Sequence, residues 1–201
     1  ALSPVKQEAL SLGLKVIQPD SLKKEQSFEQ LAALKPDIIV VAAYGQILTQ
    51  AVLDLPKYKC INIHPSLLPK YRGAVPVAAS ILNGDSFTGV SIMQMDKGLD
   101  TGPVISQAQI PVLGYDNTGI LTHKLSLLGA FLLLAILPDW IKGGISPRPQ
   151  DDSAANYFST ITRESGEIDW SEPAENIGRK VRAYYPKPGC NTCWQGKNMK
   201  I

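Results

Sequence analysis

The run Ile38-Ile39-Val40-Val41-Ala42-Ala43 constrains this chain more than any other feature. Four β-branched residues in succession leave no polar alternate positions to show to water, so a strand made from them is buried on both faces, as in a parallel sheet covered by helices. The neighbouring segments alternate in kind. Helical spacing occupies residues 4–12, a strand-like alternation 13–19, and helical spacing again 27–34, closed by Pro36. Beyond the run come a strand at 58–64 and a helix at 75–82 that stops at the turn pair Asn83-Gly84. Strands at 89–96 and 103–112 follow, and then a long helix from about 118 to 141. This alternation predicts an α/β fold with an open, mostly parallel sheet between helices.

Composition excludes several classes. Hydrophobic residues make up 44% and charged residues 19%, which suits a buried core and rules out a disordered or fibrous chain. Twenty basic against eighteen acidic side chains leave a net charge of +2, too small for nucleic-acid binding through the overall field. The apolar stretch 127–137 falls short of the ~20 residues that span a bilayer, so it reads as a core helix and no membrane segment is expected. Three cysteines, Cys60, Cys190 and Cys193, lack the pattern of a disulfide framework and fit a reducing compartment. Cys190 and Cys193 have C-x-x-C spacing, but with no second pair no metal site is predicted. His123, on the long helix without a carboxylate partner, is left out of any site. Neither a G-x-x-x-x-G-K-[ST] loop nor a G-x-G-x-x-G turn is present.

Glycine, proline and polar residues displace the apolar periodicity at 143–153, which divides the chain into a first domain at 1–142, a linker at 143–161 and the beginning of a second domain at 162–201. A helix at 172–183 and a short strand at 191–194 are expected in the last part.

The chemistry concentrates in INIHPSLLPKYRG, residues 61–73, at the carboxyl end of a strand, where α/β sheets place their sites. Side chains alternate along a strand, so Asn62 and His64 share one face while Ile61 and Ile63 enter the hydrophobic layer. Pro65 and Pro69 stiffen the loop that follows into a wall suited to a flat ligand. A second polar cluster, DKGLDTG at 96–102, holds Asp100 in a turn, within reach of orienting His64. An amide and a protonated imidazole stabilise an oxyanion, and a carboxylate holds the imidazole, so the three together suit acyl transfer without a side-chain nucleophile. Taken singly, each has a commoner role, as a strand-end polar group or a turn former.

INIHPSLLPKYRGAVP followed by TGVSIMQMDKGLDTGPVI resembles the signature of the 10-formyltetrahydrofolate-dependent formyltransferases. The resemblance implies a Rossmann-like fold, with the family's catalytic asparagine, histidine and aspartate on Asn62, His64 and Asp100. A substrate amine attacks the formyl carbon, Asn62 and His64 stabilise the tetrahedral oxyanion, Asp100 supports His64 and a bound water, and tetrahydrofolate leaves. The donor, 10-formyltetrahydrofolate, is expected against Tyr44, Gly45, Gln46, Ile47 and Leu48 and the loop of Ser66, Leu67, Leu68 and Pro69, with the pterin beside the turn that Asp96 opens. No metal is implied.

YRGAVP resembles the methionyl-tRNA branch of the family and the hydrolase domain of formyltetrahydrofolate dehydrogenase rather than the glycinamide ribonucleotide transformylases. Residues 161–189 resemble the opening of the barrel-like (OB-like) carboxyl-terminal domain of the methionyl-tRNA branch, where Arg163, Arg179, Lys180, Arg182 and Lys187 could meet phosphates. The resemblance therefore implies formylation of the amino group of initiator methionyl-tRNA by a cytoplasmic monomer, or an organellar one in a eukaryote. The alternative is a 10-formyltetrahydrofolate hydrolase. It also places the family's first strand, glycine turn and basic tRNA-reaching loop upstream of SPVK, and the completion of the second domain downstream.

Overall fold

The computed structural model describes residues 2–201. Helix α1 (Pro4–Ser11) starts where the Ser3 hydroxyl accepts the Lys6 amide and proline occupies the first turn, which spares an N–H that would have no partner. Helix α2 (Glu25–Ala32) leads to strand β1 (Ile39–Val41). A short helix α3 (Gln50–Asp54), capped by Thr49, precedes β2 (Cys60–His64). The two-residue strand β3 (Arg72–Gly73) and helix α4 (Pro76–Leu82) then lead to β4 (Phe87–Gln94), β5 (Val104–Pro111) and α5 (Thr118–Ile141). After a two-residue strand β6 (Tyr157–Phe158) the chain ends in α6 (Ala174–Tyr184) and the hairpin of β7 (Asn191–Trp194) and β8 (Lys197–Lys200).

The main sheet has the order β1-β2-β4-β5. It has the expected α/β class and is mixed: β1 pairs parallel with β2, while β2–β4 and β4–β5 are antiparallel. Residues 13–19 were expected to form a strand, but residues 14–19 find no ladder partner among the described residues and run as irregular chain. An apolar alternation becomes a strand only when a neighbour takes its backbone hydrogen bonds.

Helix α5 departs furthest from expectation. At 24 residues with a mean hydropathy of 2.0 over its most apolar window, it is long and apolar enough to cross a membrane on length and composition. It was expected to be a buried core helix, yet only Leu121, Leu125 and Gly129 are fully buried, a stripe at four-residue spacing. Leu127, Phe131 and Leu134 are 50%, 70% and 67% exposed. The cause is geometric: a helix laid on a sheet buries one stripe, whatever the residues on its other faces. At Gly129 a β-carbon would stand 2.7 Å from Ile63 Cγ2 and 3.5 Å from Val90 Cγ1, so glycine here sets how closely the helix approaches β2 and β4.

One core gathers Ile61, Val90 and Ile92 of the sheet, Ile81 of α4 and Leu121 and Leu125 of α5. Ala183, Tyr184 and Cys190 from the last segment enter the same core, so α6 and β7 begin as part of the packing of what precedes them. Residues 143–161, expected from composition to be a linker, run as a strap against the residues before them. Arg148 bridges Val104, and β6 pairs in parallel with β3. At the end of the chain Gln195 and Gly196, at φ 48° and 74°, make the tight turn between β7 and β8 that left-handed residues allow.

Candidate active site

Strand β2 brings Asn62 and His64 to one side and Ile61 to the core on the other, as side-chain alternation requires. Both polar side chains are buried. Among the described residues the Asn62 carboxamide has no hydrogen-bond partner, so its donors remain available at the strand end.

The His64 imidazole is held at one nitrogen. Nε2 lies 2.9 Å from the backbone carbonyl oxygen of Tyr71, an atom that only accepts, so Nε2 carries the hydrogen. Nδ1 is the nitrogen left to gain or lose a proton. It faces Asp100 Oδ1 at 3.6 Å, too long for a hydrogen bond and short enough for strong charge interaction in a site where the two side chains are 5% and 13% exposed. Burial pushes the imidazole pKa below its ordinary 6.5, while the Asp100 charge and the Tyr71 carbonyl push it back up. The resting imidazole is therefore neutral at neutral pH.

Asp100 has a left-handed backbone, φ 56°, and its Oδ2 accepts the Gly73 amide at 2.8 Å. The turn that carries it is tied at its start by Asp96, whose carboxylate accepts the Gly98 amide and the Thr101 hydroxyl. At its end Gly102 passes so close to Gln94 that a β-carbon would lie 1.8 Å from that carbonyl oxygen. Two elements thus supply the three expected residues, Asn62 and His64 from β2 and Asp100 from the β4–β5 turn, and the Gly73 amide of β3 ties the carboxylate in place beside His64.

The residues expected along the donor fall into three groups, exposed, buried and cleft-lining. Tyr44, Gly45, Gln46 and Ile47 are exposed, on a loop whose Gly45 has φ 71°. Leu48 points into a small core with Val52, Leu53 and Cys60, and Leu68 into another with Met93 and Val104. Ser66 is buried, its hydroxyl donating to the Lys70 carbonyl at 2.6 Å. Leu67 and Pro69 line a cleft of about 260 Å³ with Tyr71, Asp85 and Phe87. Asp96 borders a second cleft of about 390 Å³ with Gln50, Asp54, Lys59 and Lys97.

Sequence reasoning missed the residues that hold this geometry. Tyr71, at φ 59°, turns its carbonyl to His64, donates its amide to Asn156 Oδ1 and its hydroxyl to Asp85. Arg72 is buried and pairs with Gln150, Asp152 and Tyr157 of the strap. Only the polar character of 150–156 hinted at this, and polarity alone reads as a linker.

The sequence profile of a family described as formyl transferase matches residues 3–137, two thirds of the chain, and that of the formyl transferase C-terminal domain matches residues 160–201. The chain belongs to the formyl transferase family. It is 52% identical to a methionyl-tRNA formyltransferase of Dehalococcoides mccartyi over 98% of its own length and 63% of that relative's, so it spans somewhat less than two thirds of the protein it matches. Among solved structures, a 4-N formyltransferase from Francisella tularensis superposes with a TM-score of 0.80 at 23% identity, covering 98% of this chain and 79% of that one. An N-formyltransferase from Helicobacter canadensis, in complex with folinic acid and dTDP-3-aminofucose, superposes with a TM-score of 0.77 at 24% identity over 94% and 67%. These likenesses carry the formyltransferase fold, with its Rossmann-like layering, over nearly the whole chain.

Proposed function

We propose that the protein transfers the formyl group of 10-formyltetrahydrofolate to the amino group of initiator methionyl-tRNA, with Asn62, His64 and Asp100 as the catalytic residues. The observation that carries the reading is the 52% identity to a methionyl-tRNA formyltransferase across 98% of the chain, in a sequence that keeps all three side chains. The folate-type donor is supported by the folinic acid named with the Helicobacter canadensis relative and by the fit of the site here. An uncommitted carboxamide and one free imidazole nitrogen stand at the end of β2, whose parallel neighbour β1 leads into the exposed loop at 44–47.

In this reading the amino nitrogen of the acceptor bonds to the formyl carbon, and the carbonyl electrons move to its oxygen. The Asn62 amide donates to that oxyanion. His64, expected from its residue type to help hold that oxyanion as a protonated imidazole, is neutral at rest and acts first as base: Nδ1 takes the proton that the nitrogen sheds, and Asp100 stabilises the imidazolium so formed. The same proton then serves the departing folate nitrogen as its bond to the formyl carbon breaks. No metal enters these steps. We further propose that residues 1–142 form the catalytic unit, 143–161 a strap, and 162–201 the start of a tRNA-binding domain, in a monomeric, cytoplasmic protein.

The test is formyl transfer by the full-length protein given 10-formyltetrahydrofolate and methionyl-tRNA, with His64→Ala as control. Formylated methionyl-tRNA lost in the variant supports the reading. Tetrahydrofolate released without formylated tRNA would identify a hydrolase instead.

A further inference from the structure

We infer that Gln150 is a positioning residue whose carboxamide holds the 96–102 turn in the shape that presents Asp100 to His64 and Gly73. The catalytic meaning of this inference rests on the function proposed above.

The Gln150 amide uses both of its ends. Nε2 donates to the backbone carbonyls of Asp100, at 2.9 Å, and Gly102, at 2.7 Å. Oε1 accepts from Arg72 Nε at 3.1 Å and Nη2 at 2.9 Å. Arg72 is itself fixed, with its side chain 2% exposed, Nη2 on Asp152 at 2.7 Å and Nη1 on the Tyr157 hydroxyl at 2.9 Å. The strap thus grips both sides of the site: Arg72 lies next to Gly73, whose amide holds Asp100 Oδ2, and Gln150 bonds the backbone of Asp100 directly.

Such a grip has a purpose. A non-glycine residue at φ 56° is costly and persists where the surroundings impose it. Both carbonyls that Gln150 binds flank the Asp100–Gly102 bend, and relaxing that bend would swing the carboxylate away from Nδ1. The chemistry of the clamp is selective. Two donors and one acceptor at this reach are what glutamine offers; glutamate keeps the acceptor for Arg72 and loses both donors, and asparagine is one methylene short.

Gln150→Glu and Gln150→Ala test this in two readouts. The first is the Gly73 amide proton, observed by NMR, which reports its hydrogen bond to Asp100 without regard to activity. Both substitutions should shift it upfield and hasten its exchange. In the second, formyl transfer by the full-length protein, both should lower kcat by roughly 100-fold with KM for either substrate nearly unchanged, since geometry and not binding is lost. A Gln150→Glu protein with the wild-type Gly73 resonance would overturn the inference, because acceptance from Arg72 alone would then suffice. A shifted Gly73 amide with undiminished kcat would overturn the catalytic part. Should Gln150→Ala fail to fold, Gln150→Glu, which keeps size and the Arg72 pair, decides. If the wild type formylates nothing yet Gly73 responds, the functional reading fails and the positioning stands.

Discussion

His64 donates its Nε2 hydrogen to the Tyr71 carbonyl across 2.9 Å, and that one bond determines which nitrogen does chemistry. Tyr71 presents the carbonyl because its backbone is left-handed, at φ 59°, and because its amide and hydroxyl are anchored on Asn156 and Asp85. With Nε2 committed, proton traffic passes through Nδ1, opposite Asp100.

The acid limb of the pH–rate profile should report Nδ1. Burial lowers the His64 pKa below 6.5 and the Asp100 charge opposes this, so kcat/KM, which reports the free enzyme, should fall on acidification with an apparent pKa under 6.5. Asp100→Asn removes the opposing charge; it should move the limb to still lower pH and cost about 10²-fold or more in kcat. Steady-state formyl transfer from pH 5 to 8 measures both, and a limb that stays put in the variant would count against Asp100 as the partner of His64.

The same shift predicts how stability depends on pH. Because the folded pKa is lower than the unfolded one, the unfolded chain binds more protons between the two values, so stability rises with pH across that window. The contribution is complete above 6.5 and is lost as pH falls through the folded value, at a slope of at most about 1.4 kcal/mol per pH unit. Urea midpoints taken below pH 6.5 should decline in the wild type and flatten in His64→Gln.

Gly129→Ala should destabilise the fold by about 1–3 kcal/mol. The added methyl meets Ile63 and Val90 in the helix–sheet interface, and overpacking of this kind outweighs the helical preference of alanine over glycine, roughly 1 kcal/mol. Thermal or urea denaturation would show it. An unchanged or higher midpoint would mean that α5 has room to lift from β2 and β4.

Arg72→Met should cost about 2 kcal/mol, since it leaves the Gln150 carbonyl oxygen and the Tyr157 hydroxyl without the partner they share. Little of this comes from the Asp152 pair, whose carboxylate is largely exposed. Limited proteolysis should then cut within 143–161 sooner than in the wild type, as the strap loses its anchor.

The alternation of apolar runs and helical spacing was enough to read the α/β class, the helix at Thr118–Ile141 and the strand at Asn191–Trp194, because burial periodicity is a local property of the chain. It was also enough to put Asn62 and His64 on one face. What the sequence left open depends on contacts between distant segments. Residues 14–19 carry a strand pattern without a partner, and the apolar faces of α5 stay exposed because one sheet covers one stripe. Residues 143–161 look like a spacer and act as a strap. The left-handed Asp100 held on Gly73 and the Gln150 clamp exist only once residues about 30 to 80 positions apart are folded together, and even the Tyr71 carbonyl that sets the His64 tautomer is turned there by Asn156 from far along the chain. Local patterns name the elements and the reactive side chains; which atoms face one another is decided by the long-range hydrogen bonds that no single segment encodes.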